Sequence, residues 1–342
     1  MTRSMANERG TLDAMTSFAF HPALRNRWHA VARSSDLLDA PLAVQLLGQG
    51  LVVWRSAGGA AAAIDRCPHR EAPLSAGTVR NGCIECPYHG WVFDGSGACV
   101  LVPSSGSGSA IPPKARLSSV HCAERYGLVW LCLDEPAAAI PDMPWDDDPA
   151  YRRLNNPVER WHCATTRMVD NFLDYAHFPY VHRGSFGGAT EAAVPKIDLK
   201  PLPDGFHGFE YDVVAANTVG QAAGASGQTT ATVSRHMSTG WVLPFAVRGT
   251  IEYATDLQHI LLLLSTPIDD EYSYFTFVVW RNDDFSTAGD EVLRLDRLIG
   301  SEDRFMLEQV RGTLPLDATN LVSVQSDRAS VEWKRQLRAL LT

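Results

Sequence analysis

Cys67-Pro68-His69 and Cys86-Pro87-Tyr88-His89 are separated by the sixteen residues from Arg70 to Glu85, and each stretch offers one thiol and one imidazole from a tight loop. Two thiolates can hold one iron of a [2Fe-2S] cluster while two neutral imidazoles hold the other. This is the Rieske ligand set, whose reduction potential lies well above that of an all-cysteine cluster. A structural zinc site could use the same four side chains. Zinc fingers, however, usually draw a cysteine pair from one segment and a histidine pair from another. The mixed segments therefore predict a protein that moves single electrons, with Cys67, His69, Cys86 and His89 as cluster ligands.

Working outward, Trp28 to Leu133 carries short apolar runs, Ala43–Leu47, Leu51–Trp54 and Gly127–Leu131, separated by Gly, Pro and Ser clusters. That pattern predicts a small antiparallel β domain over residues 21–140. Pro68 and Pro87 stiffen the two loops, and Gly90 and Gly95 permit tight backbone paths beside them. Pro103 to Pro113 reads as a surface loop, and Pro136 to Pro144 as a linker. Residues 1–20 have no apolar core segment and read as a flexible tail rather than a secretion signal.

The region 141–342 has another rhythm. A helix is expected around Thr166 to His177, then strands at Phe209–Val214, Gly249–Tyr253, His259–Ser265 and Tyr274–Trp280, then helical spacing near Glu291. This order predicts an α+β domain in which a long helix packs on a curved antiparallel sheet. Within it, His177 and His182 stand five residues apart, with Asp174 three residues before the first. Pro179 is expected to end the helix and let His182 fold back toward His177. Two histidines and one carboxylate suit a mononuclear ferrous iron that keeps positions open for oxygen. For the carboxylate, Ile299, Asp303, Met306 and Val310 recur at helical intervals, so Asp303 interrupts an apolar stripe. Glu302 is expected to point away from that stripe, and Asp296 and Glu308 to be solvated. A salt bridge to arginine is the competing explanation of Asp303.

Composition narrows the alternatives. The 342 residues are 45% hydrophobic and 20% charged, with a formal net charge of -9. No basic stripe suits nucleic acid, and no apolar run spans a membrane; the expected compartment is the cytoplasm. The excess of acid lies outside residues 24–140, where ten basic residues face nine acidic ones. There Arg66, Arg70, Arg80, Lys114, Arg116 and Arg125 either steer an acidic electron donor or are ordinary solvated charges. Cys83, Cys99, Cys122, Cys132 and Cys163 form no regular framework and read as reduced thiols.

The whole constellation resembles the oxygenase component of Rieske non-haem iron oxygenases, in the compact branch of vanillate and dicamba O-demethylases and methylxanthine N-demethylases. Besides the ligands, the likeness rests on Cys86–Trp91, the Val102-Pro-Ser loop, Glu124–Trp130, and Glu302-Asp303 followed by Glu308-Gln309. It implies a Rieske domain joined to a helix-grip (START-like) catalytic domain in a head-to-tail homotrimer. Asp174 would then bridge a cluster histidine of one subunit to His177 of another, and Asn171 would sit near the iron or at the substrate mouth. Electrons would come ultimately from NAD(P)H through a separate reductase, with or without a ferredoxin, since no flavin or nicotinamide fingerprint is visible. The implied reaction is monooxygenation of a small aromatic or heterocyclic substrate with O2, by O- or N-demethylation releasing formaldehyde or by hydroxylation. An aromatic-ring dihydroxylating oxygenase and a pure Rieske electron-transfer protein are the alternatives. Phe172, Trp241, Phe245, Leu261 and Phe275 are candidate pocket residues that core packing would equally explain, and His236 and His259 read as satisfied strand histidines.

Overall fold

The computed structural model describes residues 18–106, 109–217, 226, 228–317 and 321–342. Most of the expected tail lies outside the described residues. Its last three, Phe18–Phe20, form a single 3-10 turn, where Ala19 is buried and its N–H donates to Asp270.

Ten short strands build the first half. They are β1 (His29–Arg33), β2 (Leu42–Leu46), β3 (Gln49–Ser56), β4 (Gly59–Ile64), β5 (Thr78–Arg80), β6 (Cys83–Glu85), β7 (Val92–Phe93), β8 (Cys99–Leu101), β9 (His121–Arg125) and β10 (Leu128–Cys132). They pair antiparallel in three small sheets ordered β1-β10-β9, β2-β3-β4 and β5-β6-β7-β8. The segment Pro136–Pro144 is irregular but not free. Arg125 and Tyr126 bind the carbonyls of Ile140 and Pro141, and Ile140 and Met143 are buried.

The second half is one antiparallel sheet of eight strands. Its members are β11 (Arg152–Asn155), β12 (Glu159–Trp161), β13 (Lys200–Pro201), β14 (His207–Ala216), β15 (Thr232–Val242), β16 (Ala246–Tyr253), β17 (Gln258–Pro267) and β18 (Ser273–Arg281). The order is β11-β18-β17-β16-β15-β14-β13, with β12 also pairing β18. Alternating burial along β14 and β15 shows one face turned inward and one outward, as period-two side-chain direction requires. Helices follow the short α1 (Pro22–Arg25): α2 (Thr165–Phe172), α3 (Phe178–Val181), α4 (Gly289–Leu307) and α5 (Arg328–Leu341). Leu293 and Leu307 of α4 pack with Trp161, Phe275 and Phe277, which lays the long helix over the β18 side of the sheet. This is the α+β arrangement expected from the sequence.

Three local expectations need correction. The helix expected to run to His177 stops at Phe172, and Pro179 begins the next helix instead of ending the first. A proline in the first helical turn gives up an N–H that has no partner there anyway. Met306 and Val310 are 44% and 39% exposed, so they are not part of a buried stripe. The inward face of α4 carries Val292, Leu295, Asp303 and Leu307. Strand β15 and helix α5 had no counterpart among the expected elements. Among the described residues no helix is long and apolar enough to cross a membrane, and all seven cysteines are free thiols.

Candidate metal centres and substrate pocket

The two Cys-His loops close in the same way. Cys67 N–H donates to Ala72 O and Glu71 N–H to Cys67 O, while Cys86 N–H donates to Trp91 O and Gly90 N–H to Cys86 O. Gly90 has φ +68°, a left-handed conformation that glycine adopts without steric cost, and a Cβ on Gly95 would lie 2.7 Å from Ser56. The two thiols sit at 1% and 2% exposure in the apolar core of this half, whereas His69 is exposed and His89 half-exposed. The two imidazoles meet edge to face with centroids 4.5 Å apart, and Trp91 stacks on His69 at 4.6 Å.

This chemistry fits a Rieske cluster. Burial pushes the Cys67 thiol up to about 11. The N–H groups of His69 and Arg70 act in the opposite direction, and neighbouring Cys86 adds to the rise. Two adjoining buried thiols with amides aimed at one of them become favourable as thiolates only beside positive metal. Of the cations noted near them, Arg66 pairs with Glu71, Arg80 lies 3.9 Å from Glu85, and Arg125 pairs with Asp142.

The second centre is assembled by a turn and a helix. After α2, the Asp174 carboxylate accepts from Ala176 N–H at 3.1 Å and His177 N–H at 2.9 Å, forming a tight Asx-type turn. The same carboxylate lies 2.9 Å from His177 Nδ1. Burial is the largest single influence on Asp174 and opposes its ionisation, yet the hydrogen bonds from His177 and Ala176 together hold its carboxyl below the usual range. His182, 1% exposed, turns back so that its Nε2 is 3.1 Å from Nε2 of His177. Its Nδ1 is 2.8 Å from Glu302 Oε2, which also accepts from Ser185 Oγ.

With each Nδ1–H donating to a carboxylate, both Nε2 atoms present lone pairs to the same space. Asp303 Oδ1 completes the group at 3.6 Å from His177 Nε2 and 3.3 Å from His182 Nε2, and it accepts from Asn171 Nδ2 at 3.0 Å. Ligand atoms of His177, His182 and Asp303 all lie within 4.8 Å of one another. Two imine lone pairs and a buried carboxylate crowded together repel unless a cation lies among them, so the donor set fits ferrous iron. Burial works against a charged His182, but Asp303 and Glu302 outweigh it and raise its pKa.

Two acidic residues differ from expectation. Glu302 turns toward the site and grips the back of His182. Asp296 is largely buried and lines the pocket, with Oδ1 3.2 Å from His259 Nε2, although not aligned for a hydrogen bond. His259 Nδ1 meets Arg281, and His236 pairs at the surface with Asp212. Glu308 is partly exposed and binds the His162 N–H and Arg304.

Beside the three proposed ligands lies a cleft of about 900 Å³, including its open mouth. Phe172, Leu261 and Phe275 line it, as do Asn171, Asp174 and Ile299. Trp241 and Phe245 do not. Trp241 donates to Gln336, and Phe245 packs against Phe18 and His29 in the core. Sequence reading also missed Arg235, a pocket residue on β15. The available signal was its inward parity between Val233 and Met237, with Ser234 and His236 facing out.

Comparison with known proteins identifies the family. Residues 27–120 match the Rieske [2Fe-2S] domain and residues 161–342 the vanillate O-demethylase oxygenase C-terminal domain. The chain is 32% identical over 327 residues to methylxanthine N1-demethylase NdmA of Pseudomonas putida, covering 93% of this chain and 89% of that protein. It is 40% identical over 167 residues to the dicamba O-demethylase oxygenase component of Stenotrophomonas maltophilia, about half of each chain. Among solved structures, Pseudomonas putida NdmA with caffeine superposes with a TM-score of 0.79 at 30% identity, over 94% of this chain and 92% of that one.

Proposed function

The chain belongs to the Rieske-type oxygenases with a vanillate O-demethylase C-terminal domain, and from that membership we propose that it oxidatively removes a methyl group from a small aromatic or heterocyclic substrate. The observation that carries this reading is the convergence of His177, His182 and Asp303 at the wall of a mostly apolar cleft. The same convergence disfavours a pure electron carrier, which has no use for a second metal site beside a pocket. Cys67, Cys86, His69 and His89 would hold the [2Fe-2S] cluster, and the convergent triad the mononuclear iron. When bound, these groups supply single electrons and activate dioxygen for insertion into a carbon–hydrogen bond.

The protein's own residues set the conditions for that chemistry. Asp174 and Glu302 keep a proton on each Nδ1, which fixes both rings with Nε2 toward the site. Asn171 orients Asp303 through its amide. Phe172, Leu261 and Phe275 exclude water and hold a flat substrate against the ligand-bearing wall. Hydroxylation of an O- or N-methyl group leaves a hemiacetal or hemiaminal that loses formaldehyde. Plain hydroxylation of a substrate carbon is the second outcome open to the same site.

The reading includes a separate reductase passing electrons from NAD(P)H, directly or through a ferredoxin, and a cytoplasmic head-to-tail homotrimer. Residues 21–140 would form the Rieske domain and 141–342 the catalytic domain. Asp174, which pairs with His177 and is partly exposed, would meet a cluster histidine of a neighbouring subunit. The test is a panel of methylated aromatics and heterocycles supplied to the iron-loaded protein with a surrogate reductase and O2. Stoichiometric formaldehyde and demethylated product support the proposal. A cis-dihydrodiol product would replace it with ring dihydroxylation, and electron transfer without any oxygenated product would replace it with an electron carrier.

A further inference from the structure

Three arginines are almost fully buried: Arg235, Arg248 and Arg281, at 4%, 3% and 1% exposure. Two have carboxylates. Arg248 pairs with Asp204 at 2.8 Å and Arg281 with Asp283 at 3.0 Å. Arg235 has none among the described residues, and its Nε and Nη2 are buried without a hydrogen-bond partner. A desolvated guanidinium is costly unless an anion and hydrogen bonds compensate it. Its guanidinium lies over the faces of Phe186 and Tyr253, at 5.5 and 5.4 Å, and the nearby Tyr211 hydroxyl lies 3.4 Å from Thr239.

Arg235 is also a wall of the cleft that holds the triad. The Phe186 ring that it approaches lies 5.0 Å from the ring of His182. A group bound to Arg235 and a carbon presented to the triad would thus belong to one small molecule. The carboxylates that share this cleft do not supply the missing charge. Asp174 faces His177, Asp303 faces both histidines and Asn171, and Asp296, whose Oδ2 has no hydrogen-bond partner among the described residues, lies beside His259 and forms no ion pair with Arg235.

The geometry points to an aromatic carboxylic acid as substrate, its carboxylate received by the Arg235 guanidinium in the wall of the cleft. This rests on the oxygenase reading above and narrows it. A planar guanidinium and a planar carboxylate match through paired N–H···O bonds, and the ring between them and the triad is met by apolar walls.

The test compares binding in iron-loaded protein by calorimetry under anaerobic conditions. The probes are meta- and para-methoxybenzoate, the matching neutral methoxybenzamides, and para-methoxybenzenesulfonate. Wild-type protein is expected to bind at least one of the acids about tenfold or more tightly than its amide, the scale of a hydrogen bond to a charged group. R235Q should erase that preference, and R235K should retain part of it. Amides binding as tightly as acids, failure of both acids to bind, a preference that survives in R235Q, or a sulfonate preferred over the carboxylate would each overturn the assignment. The wild-type comparison decides even if the variants fail to fold. Formaldehyde release is scored separately. An Arg235-dependent preference for acids without formaldehyde supports this inference and counts against demethylation.

Discussion

Glu302 Oε2 lies 2.8 Å from Nδ1 of His182, and the next residue, Asp303, presents Oδ1 3.3 Å from Nε2 of the same ring. Two consecutive carboxylates on one helix thus address opposite edges of one imidazole. Replacing Glu302 by Gln removes the charge behind the ring while leaving its proposed front partner. The expected result is an affinity for mononuclear iron lower by about 10- to 100-fold, the scale seen for such supporting carboxylates. Chelator competition followed by metal analysis measures it, with the visible spectrum of the cluster unchanged. Wild-type iron retention would reduce Glu302 to a packing role.

Asp303→Asn keeps the volume of the side chain and removes its charge. Iron should fall from about three to about two atoms per chain, with acid-labile sulfide retained and turnover largely lost. If the third iron stays, the carboxylate ligand lies elsewhere.

Asp174→Asn probes a different quantity. The amide oxygen can still accept from His177 Nδ1, so iron should remain bound, but the carboxylate charge beside the ring is gone. Single-turnover product formation by fully reduced protein is expected to slow by about tenfold or more. A rate equal to wild type would remove Asp174 from the electron path.

His29 reports on stability away from the metals. It is 3% exposed, and burial lowers its pKa to about 4, while its hydrogen bond to Leu24 O acts the other way. The unfolded chain takes up this proton near pH 6.5 and the folded one only near pH 4. The associated stability is therefore full above about pH 6.5, falls with pH, and is lost below about pH 4, amounting to about 3 kcal/mol. His29→Gln should flatten that part of the profile. Urea midpoints of both proteins at neutral and mildly acid pH give the difference directly.

Legibility in the sequence tracked how local each signal was. Cys67-Pro-His69 and Cys86-Pro-Tyr-His89 are self-contained loops whose spacing states their chemistry, and the sheet strands carried apolar runs of ordinary length. Asp303 was reached through a stripe that included Met306 and Val310, both of which face solvent. The true stripe steps through Val292, Leu295 and Leu307. Glu302 was beyond reach because its role depends on where His182 arrives from a segment 120 residues earlier. Arg235 was missed with its strand. Thr232–Val242 mixes Ser, Thr and His with apolar residues, and only the inward parity of alternate positions reveals the buried cation.

The proposed iron ligands also tie distant parts of the chain together. Asn171 and Asp303, already joined by a hydrogen bond, are 132 residues apart, and the two histidines lie on the same side of that gap as Asn171. An ion gripped by His177, His182 and Asp303 would therefore be a clasp between the Asx turn and the middle of α4, adding to the apolar packing of Met168 and Phe172 with Leu293 and Leu307 that already closes this long loop. Iron occupancy and thermal endurance become one variable. Stripping a metal from this site should lower the melting temperature, and metal supply would set how much folded protein survives heating by mass action.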